Sequence, residues 1–151
     1  MADSTKTGPN RVTASRRQVI NPALSEDLLE RVLAPENLRQ AWCQVKANHG
    51  APGVDGRTIA DFPAFARAHW ARIRQAVREG TYQPAPVGRT EIPKPHGQGT
   101  RLLGIPTVVD RVIQQTIAQV LGPIFDPEFS ASSFGFRPGR SAHQAVKQIQ
   151  S

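Results

Sequence analysis

The chain has 151 residues, with 19 lysines and arginines against 12 aspartates and glutamates, and a formal net charge of +7 at pH 7. That length suits about one domain, the composition is that of a folded protein rather than a disordered one, and the basic excess favours an anionic partner such as nucleic acid. A single cysteine, Cys43, excludes an internal disulfide and a thiolate zinc cluster; with no membrane-length apolar run and no secretory leader, the expected setting is cytoplasmic, with no membrane partner.

Residues 1–24 read as a flexible basic arm. Lys6, Arg11, Arg16 and Arg17 face only Asp3, and nothing recurs at a spacing that would bury a face. The arm either contacts an RNA backbone or is an unimportant tail. Ser25, followed by Glu26 and Asp27, is expected to cap a short helix carrying Leu28, Leu29 and Val32. Pro35 suits the first turn of a second helix, in which Leu38, Ala41, Trp42 and Val45 recur at helical spacing and which Gly50 can close. That spacing makes Trp42 a core residue before a base-stacking platform. Ala51-Pro52-Gly53-Val54-Asp55-Gly56 is a compact turn in which Asp55 folds back on local amides. Phe62, Phe65, Ala66, Trp70, Ile73 and Val77 then trace the apolar stripe of a helix ending at Gly80. Its arginines, Arg67, Arg72, Arg74 and Arg78, fall mostly on other faces, either as a solvated surface or along a phosphate backbone.

Tyr82, Pro84 and Pro86 mark a semi-extended link to the next feature. Ile92 and then Leu102, Leu103 and Ile105 favour strands, and the segment between them, Pro95-His96-Gly97-Gln98-Gly99-Thr100, can reverse direction. The pattern predicts a β-hairpin with Lys94 and Arg101 flanking its loop. Two cations with no carboxylate in the loop suit a polyphosphate or a nucleic-acid backbone; they are also what a solvated hairpin uses to keep an edge soluble. Thr107 and Asp110 form a capping pair for the following helix, whose stripe is Val109, Val112, Ile113, Ile117, Val120 and Leu121 and whose stop is Gly122-Pro123. Arg111 stands in the first turn, where a cation is unfavourable, so pairing with Asp110 or with an anionic ligand would compensate. Phe125, Phe129, Phe134 and Phe136 punctuate a loop that leads to Arg137 and Arg140. Ser141 then caps a last helix with Ala142, Ala145, Val146 and Ile149 inward, so the two arginines stand before helix amides that suit a phosphate. That helix reaches Ser151 without a closing signal, as expected of a chain that stops inside a larger architecture.

Taken in order, Ala51-Pro52-Gly53-Val54-Asp55-Gly56, Ile92-Pro93-Lys94-Pro95, Arg101-Leu102-Leu103-Gly104-Ile105-Pro106-Thr107, Asp110-Arg111 and Ser133-Phe134-Gly135-Phe136-Arg137-Pro138-Gly139-Arg140-Ser141-Ala142 resemble the N-terminal part of bacterial group II intron-encoded reverse transcriptases, the maturases. The resemblance begins near Leu28. It implies an α+β fold, mostly helical with a β-hairpin, in which residues 25–151 form the fingers and the beginning of an incomplete palm. It implies nucleotide binding by Lys94 and Arg101, nucleic-acid binding by Arg137, Arg140 and Ser141, and as partners an intron RNA, an RNA template with primer, and a deoxynucleoside triphosphate; Arg111, from its place in the first turn, is the further expected nucleic-acid contact. The family uses Mg2+ held by aspartates on later palm segments. None of those segments is present, and Asp55, Asp61, Asp110 and Asp126 do not match them. By the resemblance, this chain should bind no metal, contain no catalytic residue and not polymerise alone unless another chain completes the palm. A stand-alone RNA-binding module that assists splicing and a non-functional truncated remnant are the other readings.

Overall fold

The computed structural model describes residues 22–95 and 97–150. The elements are α1 (Pro22–Val32), α2 (Pro35–Ala47), α3 (Phe62–Arg78), β1 (Gly88–Pro93), β2 (Thr100–Ile105), α4 (Val108–Phe125), a 3-10 turn (Asp126–Glu128) and α5 (Ala142–Gln150). This is the predicted α+β arrangement, mainly helical with one two-stranded antiparallel hairpin. Among the described residues no helix is long and apolar enough to cross a membrane.

The core gathers around the first half of α4. Val108, Val109 and Val112 pack with Ala41 and Val45 of α2 and Phe62 of α3, all of them buried. Trp42 stacks on Phe62 at 4.6 Å between ring centroids, and Trp70 meets the same ring edge-on at 6.2 Å, a geometry that adds to the area the rings bury. Trp42 is therefore part of the packing, as its spacing predicted. A polar stitch continues the α2–α4 contact: the Asn37 amide donates to the carbonyls of Val32 and Thr116, and Gln119 donates to the Asn37 side-chain oxygen at 2.6 Å. At the far end, Arg78 of α3 grips Glu30 of α1 through two bonds of 2.9 Å, which hold the Glu30 carboxyl below its usual range.

The ends of α3 follow the sequence. Gly80 takes φ +69° and donates to Val77, while Thr81 donates to Ala76, so a glycine accepts the left-handed residue that ends the helix. Elsewhere the boundaries differ. α1 starts at Pro22, so Ser25 lies within the helix instead of capping it, and residues 22–24 are helical rather than part of the basic arm; the rest of that arm lies outside the described residues. α2 is closed by Asn48 and by His49 at φ +45°, not by Gly50. α4 runs through Pro123 to Phe125, because a proline in the last turn removes one donor while the Asp126 amide still reaches the Gly122 carbonyl. The stripe of α5 is not inward: Val146 and Ile149 are 54% and 85% exposed, since no described segment packs on them.

Candidate nucleic-acid interface

The hairpin register pairs Ile92 with Arg101 and Pro93 with Thr100, and the Lys94 amide extends the ladder by donating to Gly99 at 3.2 Å. Directly paired residues share a face and faces alternate along each strand. Arg101 therefore lies on the face of Ile92, and Lys94, two residues beyond Ile92, lies on that face as a diagonal neighbour. Glu91 belongs to the opposite face, where the Thr100 hydroxyl donates to its carboxylate at 3.1 Å. Among the described residues neither Lys94 nor Arg101 has an ion-pair partner. The register thus puts on one face of the ribbon the two cations that the sequence singled out.

The foot of the hairpin is built on Asp110 and Arg111. Asp110 is 4% exposed, and its carboxylate accepts from the Tyr82 hydroxyl at 2.7 Å, the Thr107 hydroxyl at 2.6 Å and the Ala85 amide at 3.3 Å. Thr107 in turn accepts from the Asp110 amide, completing the predicted cap. Burial, and then the bond to Asp110, push the Tyr82 phenol well above its usual range. Arg111 does not pair with Asp110; its Nη2 donates to the Ala51 carbonyl at 2.7 Å. Its guanidinium lies in the space that a side chain at position 50 would enter. Arg111, expected at a nucleic acid, thus has a demonstrable role as a tie to the turn over residues 51–56.

Arg137 is heavily committed within the fold. Its Nε donates to Asp126 Oδ1 at 2.8 Å, Nη1 to the carbonyls of Ser130 and Ser133, and Nη2 to the Asp126 carbonyl and Oδ2. A guanidinium has five N–H donors, and all five are used inside the loop. These bonds give Arg137 a loop-bracing role, and a phosphate reaching its guanidinium would have to share or displace one of them. Arg140 differs: it is exposed, lies over the Phe134 ring at 5.4 Å and makes one long bond of 3.5 Å to the Ala131 carbonyl. Ser141 caps α5 reciprocally, its amide donating to Gln144 Oε1 and its hydroxyl accepting from the Gln144 amide. Its own amide is therefore occupied.

The carboxylates are equally committed. Asp55 holds Arg57, Asp61 holds the Thr58 amide and hydroxyl, and Asp126 holds Arg137. Among the described residues no three His, Cys, Asp or Glu side chains form a group that could hold a metal ion. These residues do not fit the Mg2+ site of a polymerase.

Tyr82 was missed as a site residue. The available signal was that the chain's single tyrosine sits in a proline-rich link, where a hydroxyl needs a partner from elsewhere in the fold.

No protein-family model matches the chain. Protein YkfC of Escherichia coli (strain K12) is 36% identical over 125 residues, covering 82% of this chain and 32% of that protein. The Group II intron-encoded protein LtrA of Lactococcus lactis subsp. cremoris is 36% identical over 123 residues, covering 82% of this chain and 20% of LtrA. A shorter match joins it to Nuclear intron maturase 2, mitochondrial, of Arabidopsis thaliana, 44% identical over 41 residues. The chain therefore belongs to the group II intron-encoded reverse transcriptase and maturase family. It spans about a fifth to a third of the length of the first curated relatives it matches.

Proposed function

We propose that this chain is the fingers and the beginning of the palm of a group II intron reverse transcriptase, presenting a nucleotide- and RNA-contacting surface and not polymerising alone. Lys94 and Arg101 hold the triphosphate of an incoming deoxynucleotide, and Arg140, beside Ser141, meets the RNA backbone. The complete protein copies RNA into DNA and assists splicing of its intron in the cytoplasm, with Mg2+ held by carboxylates outside these residues. The observation that carries the reading is the shared ribbon face of Lys94 and Arg101, with Glu91 on the reverse.

Calorimetric titration with dTTP and with tripolyphosphate tests it. Lys94→Ala and Arg101→Ala should each weaken both ligands without lowering thermal stability, because both side chains are exposed. Affinity unchanged in both variants would remove the nucleotide assignment. The reading as an RNA-binding module is favoured by the nearly uncommitted Arg140. It is tested by RNA affinity against salt, which should fall with log salt by about 0.7 per phosphate contacted on a single strand.

A further inference from the structure

We propose that Asp110 is a positioning residue for the hairpin: one buried carboxylate grips the chain just before the first strand and just after the second, and so fixes the direction in which the ribbon presents Lys94 and Arg101. The ribbon cannot fix that direction by its own packing. Most of its residues are exposed on both faces, Leu102 and Leu103 among them at 65% and 45%, and an isolated two-stranded ribbon is marginal in water. Its orientation therefore comes from its feet.

Both feet meet at Asp110. Ala85, whose amide donates to Oδ2, lies three residues before β1; Thr107, whose hydroxyl donates to the same oxygen at 2.6 Å, lies two residues after β2. Tyr82 secures the other oxygen and pins the link that enters the ribbon. The next residue closes the other side. Arg111 holds the Ala51 carbonyl, and in the turn that follows, Gly53 lies against the backbone of Pro106 and Thr107 while Val54 lies beside Gly88. Asp110 and Arg111 thus tie two loops that bracket the closing pair Gly88–Ile105.

What the ribbon binds rests on the proposed function; its aim does not, and the test separates the two. Nitroxides placed by Gln98→Cys at the tip and Gln114→Cys on α4, with Cys43→Ser to remove the exposed native thiol, report the tip-to-helix distance distribution in the full chain. Tyr82→Phe and Asp110→Asn should each widen that distribution. If about one third of molecules keep both cations convergent, the apparent Kd for tripolyphosphate rises about threefold. Asn37→Ala, which removes the α2–α4 stitch, should lower thermal stability without widening it. An unchanged width in Tyr82→Phe, or equal widening in Asn37→Ala, overturns the positioning role, and Tyr82→Phe decides the matter should Asp110→Asn fail to fold. A wild-type chain that does not bind tripolyphosphate refutes the nucleotide assignment alone, because the distance measurement still reads the root.

Discussion

Replacing Gly53 with alanine should destabilise the fold by about 1–3 kcal/mol, the range for forcing an extra carbon into a packed site. An added Cβ would stand 2.7 Å from the Thr107 Cα, 2.8 Å from its nitrogen and 3.0 Å from the Pro106 carbonyl carbon. All three atoms are backbone, and Thr107 is 3% exposed at the start of α4. No side chain can swing aside, so the turn must retreat by roughly 0.7 Å to reach ordinary contact. At about 2–4 °C per kcal/mol for a protein of this size, Tm should fall by about 2–12 °C. Gly135→Ala is the control, because nothing lies within 4 Å of a Cβ there and its φ is not left-handed. Calorimetry and urea unfolding measure the difference, with the midpoint moving and the urea m-value held. A Gly53→Ala protein that melts within about 1 °C of Gly135→Ala would show that the turn does not abut α4, and would refute this packing.

Arg137→Lys should lower Tm, since one ammonium cannot replace five directed donors, yet leave the salt dependence of RNA binding unchanged. Arg140→Ala should do the reverse, reducing the log–log slope by about 0.7 if it meets one phosphate; salt titrations by fluorescence anisotropy separate the two. The depressed carboxyls of Glu30, Asp61 and Asp126 contribute stability that is fully present above their unfolded values of 4.5, 3.8 and 3.8 and is lost as pH falls through their lower folded values. Melting curves should therefore weaken on the acid side of about pH 4, and Arg78→Gln should flatten the Glu30 share of that fall. Ile149→Asp should reduce any concentration-dependent association seen by sedimentation, because it places a charge in the exposed stripe of α5.

The hairpin, the stripe of α3, that of α4 apart from Ile117, which is exposed where Thr116 is buried, and the Thr107 cap were legible because each is decided within a few residues by periodicity or by one hydrogen bond. The commitments of the arginines were not. Nothing local distinguishes Arg137 from Arg140, three residues apart in one motif; the difference arises because the loop folds Arg137 back onto Asp126, eleven residues earlier. Tyr82 and Asp110 are separated by 28 positions and meet only when the link crosses the start of α4. The same limit explains α5: helical spacing located its stripe, but spacing cannot say whether a partner surface lies in the same chain.

The distribution of charge carries the remaining step. Asp55, Asp61, Asp110 and Asp126 each hold a neighbour within the fold, while Lys94, Arg101 and Arg140 keep most or all of their donors free among the described residues. Those three cations keep donors that a phosphate could meet, while among the described residues no three His, Cys, Asp or Glu side chains form a group that could hold a metal ion. On the proposed reading, binding and catalysis are separable properties of these residues. A triphosphate drawn to the ribbon would be oriented by Lys94 and Arg101 and remain unreacted until carboxylates from beyond this surface approached it. On the proposed reading, affinity for tripolyphosphate, rather than nucleotide incorporation, is therefore the quantity that measures this chain's share of the function.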